Sequence, residues 1–581
     1  MASQTQRRSQ SPDSASHEEE KPAQTPRIDT VSVDSASTDG PQPQLHAKTF
    51  LAVLSVCVIY FVQIYNVVGA GALTNTITLS LPPTTTSSVW LATSIAAATA
   101  ILSPILSQAA TVFGRRWFLV VPTLLGAAGS LVIARADSMD MAIAGFAVTG
   151  ASYAAQPLLH AVSSEVVPRR YRSWGQAADL IANALGGITA LLVSGGVVRT
   201  ANVGDDGWRN FWYVGTGLYG LAGVLCAVLY RPLPREAGGG VGERLGRLDW
   251  GGYGLWAAGV LLFCVGLAWG GNPFPWSDPH TSATFAVGVF ALVLLAGYEV
   301  FGKKDGMFHH GLFGHRNFAI ALVCLFCEGV AFFGANSYFA FQVGVLYEAD
   351  ALLVGVRYSV TMFVSIFSAA VAGAYCAATK KVRWIAVTSF LFFVVFFACM
   401  ASTDLTTNAH TWGYPVFLGI ALGLSLVTLI TLAQLSTPPE LIAITSGLVI
   451  GIRSLGGSVG LAIYNALFTG AMSHVGDNIA AAVVPLGLPL SSLGPFIGAL
   501  TAHDNESLFQ IPGVTPQIVG AGADALLATF STGFKHVWIT AACFVAFAAI
   551  VAVFIEDPSK EFNMHIDAPL EKDEELYSPR V

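Results

Sequence analysis

Charged side chains are scarce in this sequence. Only 11% of its 581 residues are Asp, Glu, Lys or Arg, whereas 54% are hydrophobic. Soluble domains carry about 25% charged residues, so a series of ordinary water-soluble domains is excluded. Residues 1–48 and 556–581 hold the whole formal charge of −7, and the apolar region between them is neutral. This distribution predicts a polytopic membrane protein with acidic ends, and it offers no basic face to a nucleic acid.

Cysteine is also infrequent, and all eight cysteines fall inside apolar stretches. A disulfide framework places cysteines in exposed loops, so we interpret these as small core residues. Cys324-x-x-Cys327 has no second pair and no nearby His ligands, so we predict neither a metal site nor a cofactor. The sequence also lacks a nucleophile–base pair and a phosphate-binding loop. We therefore do not expect an enzyme.

The two ends of the chain are polar. Residues 1–47 are rich in Ser, Thr, Pro, Gln and Glu, a composition that cannot bury enough surface to fold. No short apolar run follows the first residues, so a signal peptide is not predicted. We expect disordered cytoplasmic tails at 1–47 and at the acidic stretch 556–581.

Between the tails, apolar runs of about 20 residues alternate with short polar loops, the length that crosses a bilayer. Fourteen membrane spans are predicted. They lie near 49–70, 88–110, 117–134, 141–163, 174–197, 211–230, 251–270, 282–301, 317–345, 353–376, 384–401, 412–434, 442–468 and 536–555.

Basic residues predict the orientation of these spans, because cytoplasmic loops collect Lys and Arg. If the amino terminus is cytoplasmic, fifteen basic residues of the neutral region fall in cytoplasmic loops and five on the opposite side. This asymmetry predicts that both termini are cytoplasmic. The long loop 471–535 would then lie outside, and it contains the sequon Asn505-Glu506-Ser507, a candidate glycosylation site.

Two short patterns recur at nearly the same offset. Gly114-Arg115-Arg116-Trp117 after the second span resembles 380–384 after the tenth, and the Leu-Gly-Gly at 185–187 is repeated at 455–457. Such echoes indicate two related halves. We therefore predict a bundle of six helices over 48–230, cytoplasmic loops and two inserted helices over 231–316, and a second six-helix bundle over 317–555.

The residues that carry a family resemblance are 113–118 (Phe-Gly-Arg-Arg-Trp-Phe), 165–172, 248–251 leading to 267–271, and the loop from Gly494 through 511–516. In this order they resemble the major facilitator superfamily, its fourteen-span drug:proton antiporter group, and the fungal trichothecene efflux pump-like and siderophore transporter branch. The resemblance covers about 49–557. It implies an all-α fold of 6+2+6 helices and a monomer in the plasma membrane, or else in a vacuolar or vesicle membrane.

The resemblance also implies a function, namely proton-coupled secondary transport by alternating access. The expected cargo is a small hydrophobic secondary metabolite, mycotoxin or drug, moved outward. A siderophore–iron importer of the same architecture is the main alternative. A transporter-like sensor is the alternative from another class, although its tails are short for an effector region.

The sequence departs from the family patterns at several positions. The superfamily loop usually reads G-x-x-x-D-x-x-G-R-R, but Ser107 and Thr111 replace its first glycine and its aspartate. We expect Gly114, Arg115 and Arg116 to keep the cationic half of a cytoplasmic gate without that carboxylate. Phe146 replaces the fourth-span arginine, and the antiporter pattern of the fifth span keeps only Gly186 and Gly187. Export therefore does not follow from that pattern.

Three ionisable residues lie deep in predicted spans, where each costs about 2.5–3.5 kcal/mol on insertion scales. They are Glu328, Arg453 and Asp179. One hypothesis is that Glu328 or Asp179 binds the coupling proton, with Arg453 as the charge that tunes its affinity. The alternative is a static Glu328–Arg453 ion pair that fixes helix packing.

Polar residues within the spans are candidates for the substrate cavity, although hydrogen bonding between helices would explain any one of them equally well. The candidates are Gln63, Tyr65, Asn66, His160, Asn183, Asn336, Tyr338, Gln342, Tyr464 and Asn465. A cavity with aromatics and few polar groups suits a medium-sized, largely apolar ligand.

Overall fold

The computed structural model describes residues 43, 45–82, 89–200, 206–233, 240–270, 274–303, 305–501 and 505–570. Almost all of the predicted amino-terminal tail and the stretch 571–581 lie outside these residues. Apart from one isolated bridge between Gly270 and Phe274, the described residues form helices and irregular connections. The predicted all-α fold class is thus confirmed.

The first half of the chain contains seven helices. They are α1 (Ala47–Ser80), α2 (Val89–Phe113), α3 (Arg115–Ala134), α4 (Met139–Tyr153), α5 (Gln156–Glu165), α6 (Arg172–Thr200) and α7 (Trp208–Leu229). Helix α1 packs on α6 and α7, and α3 packs on α4 and α7.

A short helix and an inserted pair follow, and then the second half. These helices are α8 (Val241–Gly246), α9 (Trp250–Trp269), α10 (Pro279–Gly297), α11 (Arg316–Leu346), α12 (Ala351–Thr379), α13 (Arg383–Ala401), α14 (Pro415–Leu435), α15 (Ile442–Met472), α16 (Val475–Val483), α17 (Leu490–Thr501), α18 (Asn505–Leu508) and α19 (Pro516–Ala552). In this half α11 packs on α15 and α19, and α13 packs on α14 and α19.

Thirteen helices among the described residues are long and apolar enough to cross a membrane. The predicted fourth span is not one of them, because it is divided into α4 and α5. Pro157 lies in the first turn of α5 and has no N–H to bond the carbonyl of Tyr153, so the helix is interrupted there. The total of fourteen spans, and the side on which the termini lie, therefore remain predictions.

The Leu-Gly-Gly pattern that recurs in the two halves has the same packing role in each. A Cβ added to Gly186 on α6 would strike the carbonyl oxygen of Phe61 on α1, and one added to Gly456 on α15 would strike that of Phe326 on α11. Glycine is thus the residue that lets each helix pair approach closely.

The turn after the second helix of each half contains a residue with positive φ. Gly114 has φ 94° and ψ 152°, and Lys380 has φ 59° and ψ 27°, so the two backbone conformations differ. Arg116 then lies over the ring of Trp117 at 5.6 Å, and Arg383 lies over Trp384 at 5.1 Å. The shared feature is therefore an arginine placed on a tryptophan at the start of the third helix of each half.

The two halves meet along α6–α12 and α2–α15, and α9 of the inserted pair α9–α10 packs on α2 and α15. We call the end of the bundle that carries Arg115, Arg169, Arg172, Arg316 and Arg383 the basic end. The opposite end carries the connections α3–α4, α11–α12 and α13–α14.

The loop predicted at 471–535 is largely helical. Its core consists of apolar residues that include Ile479, Val483, Phe496 and Leu526. The last helix, α19, begins at Pro516, well before the predicted start at 536, because Thr515 caps it by accepting a hydrogen bond from the Ile518 N–H at 3.3 Å. The backbone of Asn505 begins α18, and its side chain lies outside the described residues.

The acidic tail is predicted to be disordered, but for residues 556–570 this prediction is wrong. Residues 556–570 are described and packed at the basic end, with Phe562 and Leu570 in the main hydrophobic core. Its acidic side chains contact the arginines of that end, for example Asp567 with Arg169 at 2.8 Å. Composition alone missed this because the partners of these charges lie far away in sequence.

The close packing of α11 on α15 gives a stability prediction. A Cβ at Gly329 would strike the carbonyl oxygen of Arg453, whereas a Cβ at Gly344 on the same helix would meet open space. We expect Gly329→Ala to lower the free energy of unfolding by about 1–3 kcal/mol through overpacking. Gly344→Ala is the matched control, expected to be neutral or slightly stabilising. Thermal unfolding of both variants in detergent checks this, and equal midpoints would contradict it.

Candidate functional site

Glu328 and Arg453 form a buried ion pair between α11 and α15. Arg453 Nε and Nη2 donate to the two carboxylate oxygens of Glu328, the second at 3.1 Å. The side chains are 0% and 2% exposed. Arg453 Cζ also lies 4.6 Å from the centre of the Phe332 ring. The geometry is thus that of a fixed, bidentate ion pair, the alternative that the sequence left open for these two residues.

The arginine of this pair also faces the first half of the chain. The Arg453 guanidinium and the Tyr153 hydroxyl are both buried and interact with each other across the boundary between the halves. Tyr153 is the last residue of α4, directly before the break in the fourth span. The ion pair therefore lies where the two halves meet.

Asp179, the third deep ionisable residue, has no arginine partner in the described structure. Its Oδ1 accepts a hydrogen bond from Ser163 Oγ at 2.8 Å and a weaker one from Cys57 Sγ at 3.7 Å. Its Oδ2 lies 3.4 Å from His160 Nδ1. The carboxyl group is fully buried, and the imidazole of His160 lies directly beside it.

His160 is held by hydrogen bonds on both ring nitrogens. Nδ1 lies 2.7 Å from Gln176 Oε1, and Nε2 lies 3.3 Å from Gln156 Nε2, which also donates to the Tyr60 hydroxyl at 2.6 Å. The edge of the imidazole also contacts the Tyr60 ring. A connected polar group therefore occupies the first half, built on α1, α5 and α6.

This polar group continues into the second half through Gln434 on α14. Ser164 Oγ donates to Gln434 Oε1 at 2.5 Å, and Gln434 Nε2 donates to the carbonyl of His160 at 3.2 Å and to Ser446 Oγ at 2.9 Å. Sequence reasoning missed Gln434. The feature that could have identified it is a long amide side chain in an otherwise apolar span.

A cavity of about 590 Å³ lies between the halves and reaches the opposite end at the α11–α12 connection. Helices α1, α6, α11, α12 and α15 enclose it. Its lining includes Gly71, Thr74, Ser194, Gly195, Tyr338, Phe341, Glu348, Gly355, Asn465 and Phe468. Of the predicted cavity residues, Tyr338 and Asn465 line it. The small and apolar lining residues were missed because only polar residues were considered.

Other predicted cavity residues hydrogen-bond within their own half. Gln63 Nε2 donates to the Ser152 carbonyl at 2.7 Å. The Tyr65 hydroxyl donates to the Phe211 carbonyl at 3.2 Å, with the two rings stacked at 4.2 Å. These contacts fit the alternative role of hydrogen bonding between helices.

Asn66 and Gln342 are bonded in the same manner. Asn66 Oδ1 accepts from Ser130 Oγ at 2.9 Å. Gln342 donates to Thr403 Oγ1 at 2.7 Å and accepts from Trp538 Nε1 at 2.6 Å. Both side chains are thus occupied in the packing of one half.

Of the remaining predicted residues, Asn336 contacts the other half, whereas Tyr464 and Asn183 contact residues of their own half. Asn336 Nδ2 is the first group that a Cβ at Gly71 would meet, at 2.8 Å. The Tyr464 hydroxyl donates to the Val330 carbonyl at 3.3 Å, and its ring edge contacts Tyr338. Asn183 is buried and interacts with the Tyr60 hydroxyl.

The predicted gate residues lie at the basic end. Arg115 pairs with Glu165, the last residue of α5, and Arg116 donates to the carbonyl of Ala227. Glu165 thus supplies a carboxylate for the gate arginine, although position 111 is Thr. This partner comes from the end of another helix, which a local motif comparison does not examine.

A buried acidic pair, Asp249 and Glu299, lies where the inserted helices meet the basic end, and the sequence reading did not include it. Asp249 caps α9 by accepting from the Gly252 N–H at 3.1 Å, and it also accepts from the Tyr298 hydroxyl and the Met307 N–H. Burial raises the pKa of Asp249, but these hydrogen bonds outweigh it, so the pKa lies below its ordinary value.

Two helical halves that enclose a cavity between them define the chain as a multi-pass membrane transporter. It belongs to the Major Facilitator Superfamily, whose sequence pattern matches residues 52–461. This confirms the family resemblance and identifies the chain as a transporter rather than an enzyme.

Relatives and solved structures agree with this family. The "Efflux pump FUS6" of Gibberella moniliformis (strain M3125 / FGSC 7600) is 24% identical over 93% of this chain and 94% of its own. The "Trichothecene efflux pump TRI12" of Fusarium sporotrichioides is 22% identical over 78% of this chain and 77% of its own. The proton:xylose symporter XylE has the same fold, with a TM-score of 0.53 at 14% identity over 87% of this chain and 95% of its own.

The buried ion pair gives a second stability prediction. Glu328→Leu and Arg453→Met should each lower the free energy of unfolding by about 3–5 kcal/mol, because each leaves the partner's charge buried and unpaired. The double variant should lose much less than the sum of the two. Removing the exposed pair of α8 with Glu243→Gln and Arg247→Gln is the control, expected to cost under about 1 kcal/mol. A double-mutant cycle by thermal or denaturant unfolding measures the coupling, and additive losses at 328 and 453 would contradict it.

Proposed function

We propose that this chain is a proton-coupled transporter that exports a small, largely apolar organic molecule by alternating access. The observation that carries the proposal is the cavity of about 590 Å³ between the two halves. Ligand pockets for small molecules commonly measure about 300–1,000 Å³, so the cavity has the right size for such a cargo.

The lining of the cavity supports an uncharged cargo. Tyr338, Phe341 and Phe468 provide aromatic surface, whereas Asn465 and a few hydroxyl groups provide hydrogen bonds. The acidic lining residue Glu348 is paired with Arg357, whose Nη2 lies 3.2 Å from the carboxylate. A neutral ligand would therefore enter without leaving a buried charge unpaired.

The positions of the cavity and of the contacts between halves support alternating access. The cavity adjoins the opposite end, whereas near the basic end the halves are joined by Ser164–Gln434 and by Ser173 Oγ donating to the Gly373 carbonyl at 3.0 Å. Loading of cargo from the basic end would require these contacts to separate. The outward direction is proposed from the printed names of the relatives, several of which are efflux pumps.

For the coupling proton, Asp179 is the first candidate and Glu328 the second. Asp179 is buried beside His160 and has no arginine partner among the described residues. When the two halves separate, water could reach this pair and exchange a proton with it. Glu328 is held by Arg453 in the described state, and it can take a proton only if that pair separates. Arg453 then supplies the positive charge beside Glu328 in the described state.

Export from the cell requires the plasma membrane, which we propose as the location. The basic end and both termini would then face the cytoplasm. Residues 473–515 would lie outside, with Asn505 as a glycosylation acceptor. We further propose that the chain acts as a monomer, since each cavity is formed by the two halves of one chain.

Export can be tested in proteoliposomes with an imposed pH gradient and a panel of uncharged metabolites that includes a trichothecene. We expect gradient-driven movement of at least one such compound, and none in liposomes without the protein. Uptake of a labelled ferric siderophore, with no movement of the uncharged panel, would favour the importer instead.

The proton assignment predicts the behaviour of Asp179→Asn in the same assay. The variant should still bind cargo, but pH-driven transport should fall at least about tenfold because the buried group no longer titrates. Asp137→Asn, at an exposed carboxylate of the opposite end, is the matched control and should transport as the unaltered chain does. An Asp179→Asn variant with an unchanged pH profile would remove Asp179 from the mechanism.

A further inference from the structure

The first residues of the carboxyl-terminal tail are fixed to the second half of the chain. Asn317, at the start of α11, donates to the Glu556 carbonyl at 2.8 Å and accepts from the Glu556 N–H at 2.9 Å. Asp557 Oδ1 accepts from the N–H groups of Val382 and Arg383 at 2.7 and 2.9 Å. Asp557 thus caps the amino terminus of α13.

The same tail then reaches the first half and follows the loop between α5 and α6. The N–H groups of Arg169 and Arg170 donate to the carbonyls of His565 and Asn563 at 2.9 and 2.8 Å. Ala568 donates in return to the carbonyl of Glu165 at 3.0 Å. These are backbone hydrogen bonds, so they fix the path of the tail and do not only attract its charges.

Asp567 is the centre of the contact with the first half. Its side chain is 4% exposed and pairs with Arg172 and with Arg169, whose Nη2 lies at 2.8 Å. Arg172 Nη1 also donates to the carbonyl of Gln434 in the second half, at 3.3 Å. One buried carboxylate therefore holds an arginine that itself joins the two halves.

His565 shows the electrostatic character of this contact. Burial and the nearby positive charges of Arg169 and Arg172 hold the pKa of His565 below its ordinary value. The imidazole is therefore neutral at neutral pH, and it adds no positive charge next to the two arginines that Asp567 pairs with.

We propose that residues 556–568, which we call the strap, hold the basic end closed and must release the first half before the cavity can open there. This inference rests on the proposed alternating access. The strap is bonded to α11 and α13 on one side and to the α5–α6 loop on the other, so it cannot keep both sets of contacts when the halves separate at this end. Contacts made in one state only shift the equilibrium toward that state.

The strap can be tested by measuring the separation of the halves at the basic end. Trp117 at the start of α3 and Trp384 at the start of α13 are 61% and 58% exposed, so both accept cysteine-linked spin labels. The exposed Cys543 is replaced by serine in all samples. Pulsed electron paramagnetic resonance on the full chain in nanodiscs then gives the distribution of distances between the labels, without any cargo.

Two alterations remove the strap contact and one serves as a control. Asp567→Asn keeps the shape of the side chain and removes its charge, and a chain ending at Ser559 keeps the Asp557 cap but removes the contacts with the first half. We expect each to raise the fraction of long distances at least about threefold. A chain ending at Leu570 keeps the described strap and should match the unaltered chain.

Unchanged distance distributions in both Asp567→Asn and the chain ending at Ser559 would overturn the strap proposal. If the shortened chain fails to fold, Asp567→Asn decides alone. Since the measurement needs neither cargo nor a pH gradient, a failed export assay does not affect it. A failed strap test likewise leaves the export proposal unaffected.

Discussion

The absence of water from the membrane interior is the constraint on which this structure depends. Backbone groups without water must bond one another, so each crossing segment is a helix. The same constraint applies to side chains. Deep polar residues such as Gln63, Asn66 and Gln342 are bonded to carbonyls or to other polar side chains of neighbouring helices. Arg453 is acceptable at its depth because Glu328 accepts two of its N–H groups.

Several buried polar groups lie at the boundary between the two halves. Tyr153 and Arg453 are both buried where the halves meet, and they interact with each other across that boundary. The Asp179 carboxylate lies beside His160, and the backbone carbonyl of His160 accepts a hydrogen bond from Gln434 of the second half. The polar group around Asp179 and the Glu328–Arg453 ion pair are thus buried polar clusters that border both halves.

Much of the fold followed from the sequence because its determinants are local. The length of the apolar runs predicted most of the helices. The repeated Leu-Gly-Gly pattern predicted that Gly186 and Gly456 occupy equivalent positions in the two halves. The interruption at Pro157 was missed because the apolar run continues through it, and the pattern of hydropathy does not register a missing N–H. The packed tail was missed because Asp567 acquires its arginines only in the folded chain.

The candidate site was less accessible from sequence. Depth in a span identified Glu328, Arg453 and Asp179, but it could not tell a fixed ion pair from a carboxylate beside a histidine. The choice of polar residues within the spans correctly predicted Tyr338 and Asn465 as cavity residues. The side chains of most other candidates instead form hydrogen bonds to residues of their own half. Which polar side chain faces a cavity depends on helix rotation, which tertiary packing sets.

The 31-residue helix α15 is about 46 Å long, and no proline interrupts it. Near its first turn Ser446 meets Gln434, in its first half Arg453 meets Glu328, and toward its far end Asn465 and Phe468 form part of the cavity wall. One continuous helix thus carries part of the cavity wall, the arginine of the buried ion pair and a contact with Gln434. Cargo bound against Phe468 would therefore touch the same element that holds Glu328 and Gln434 of two other helices.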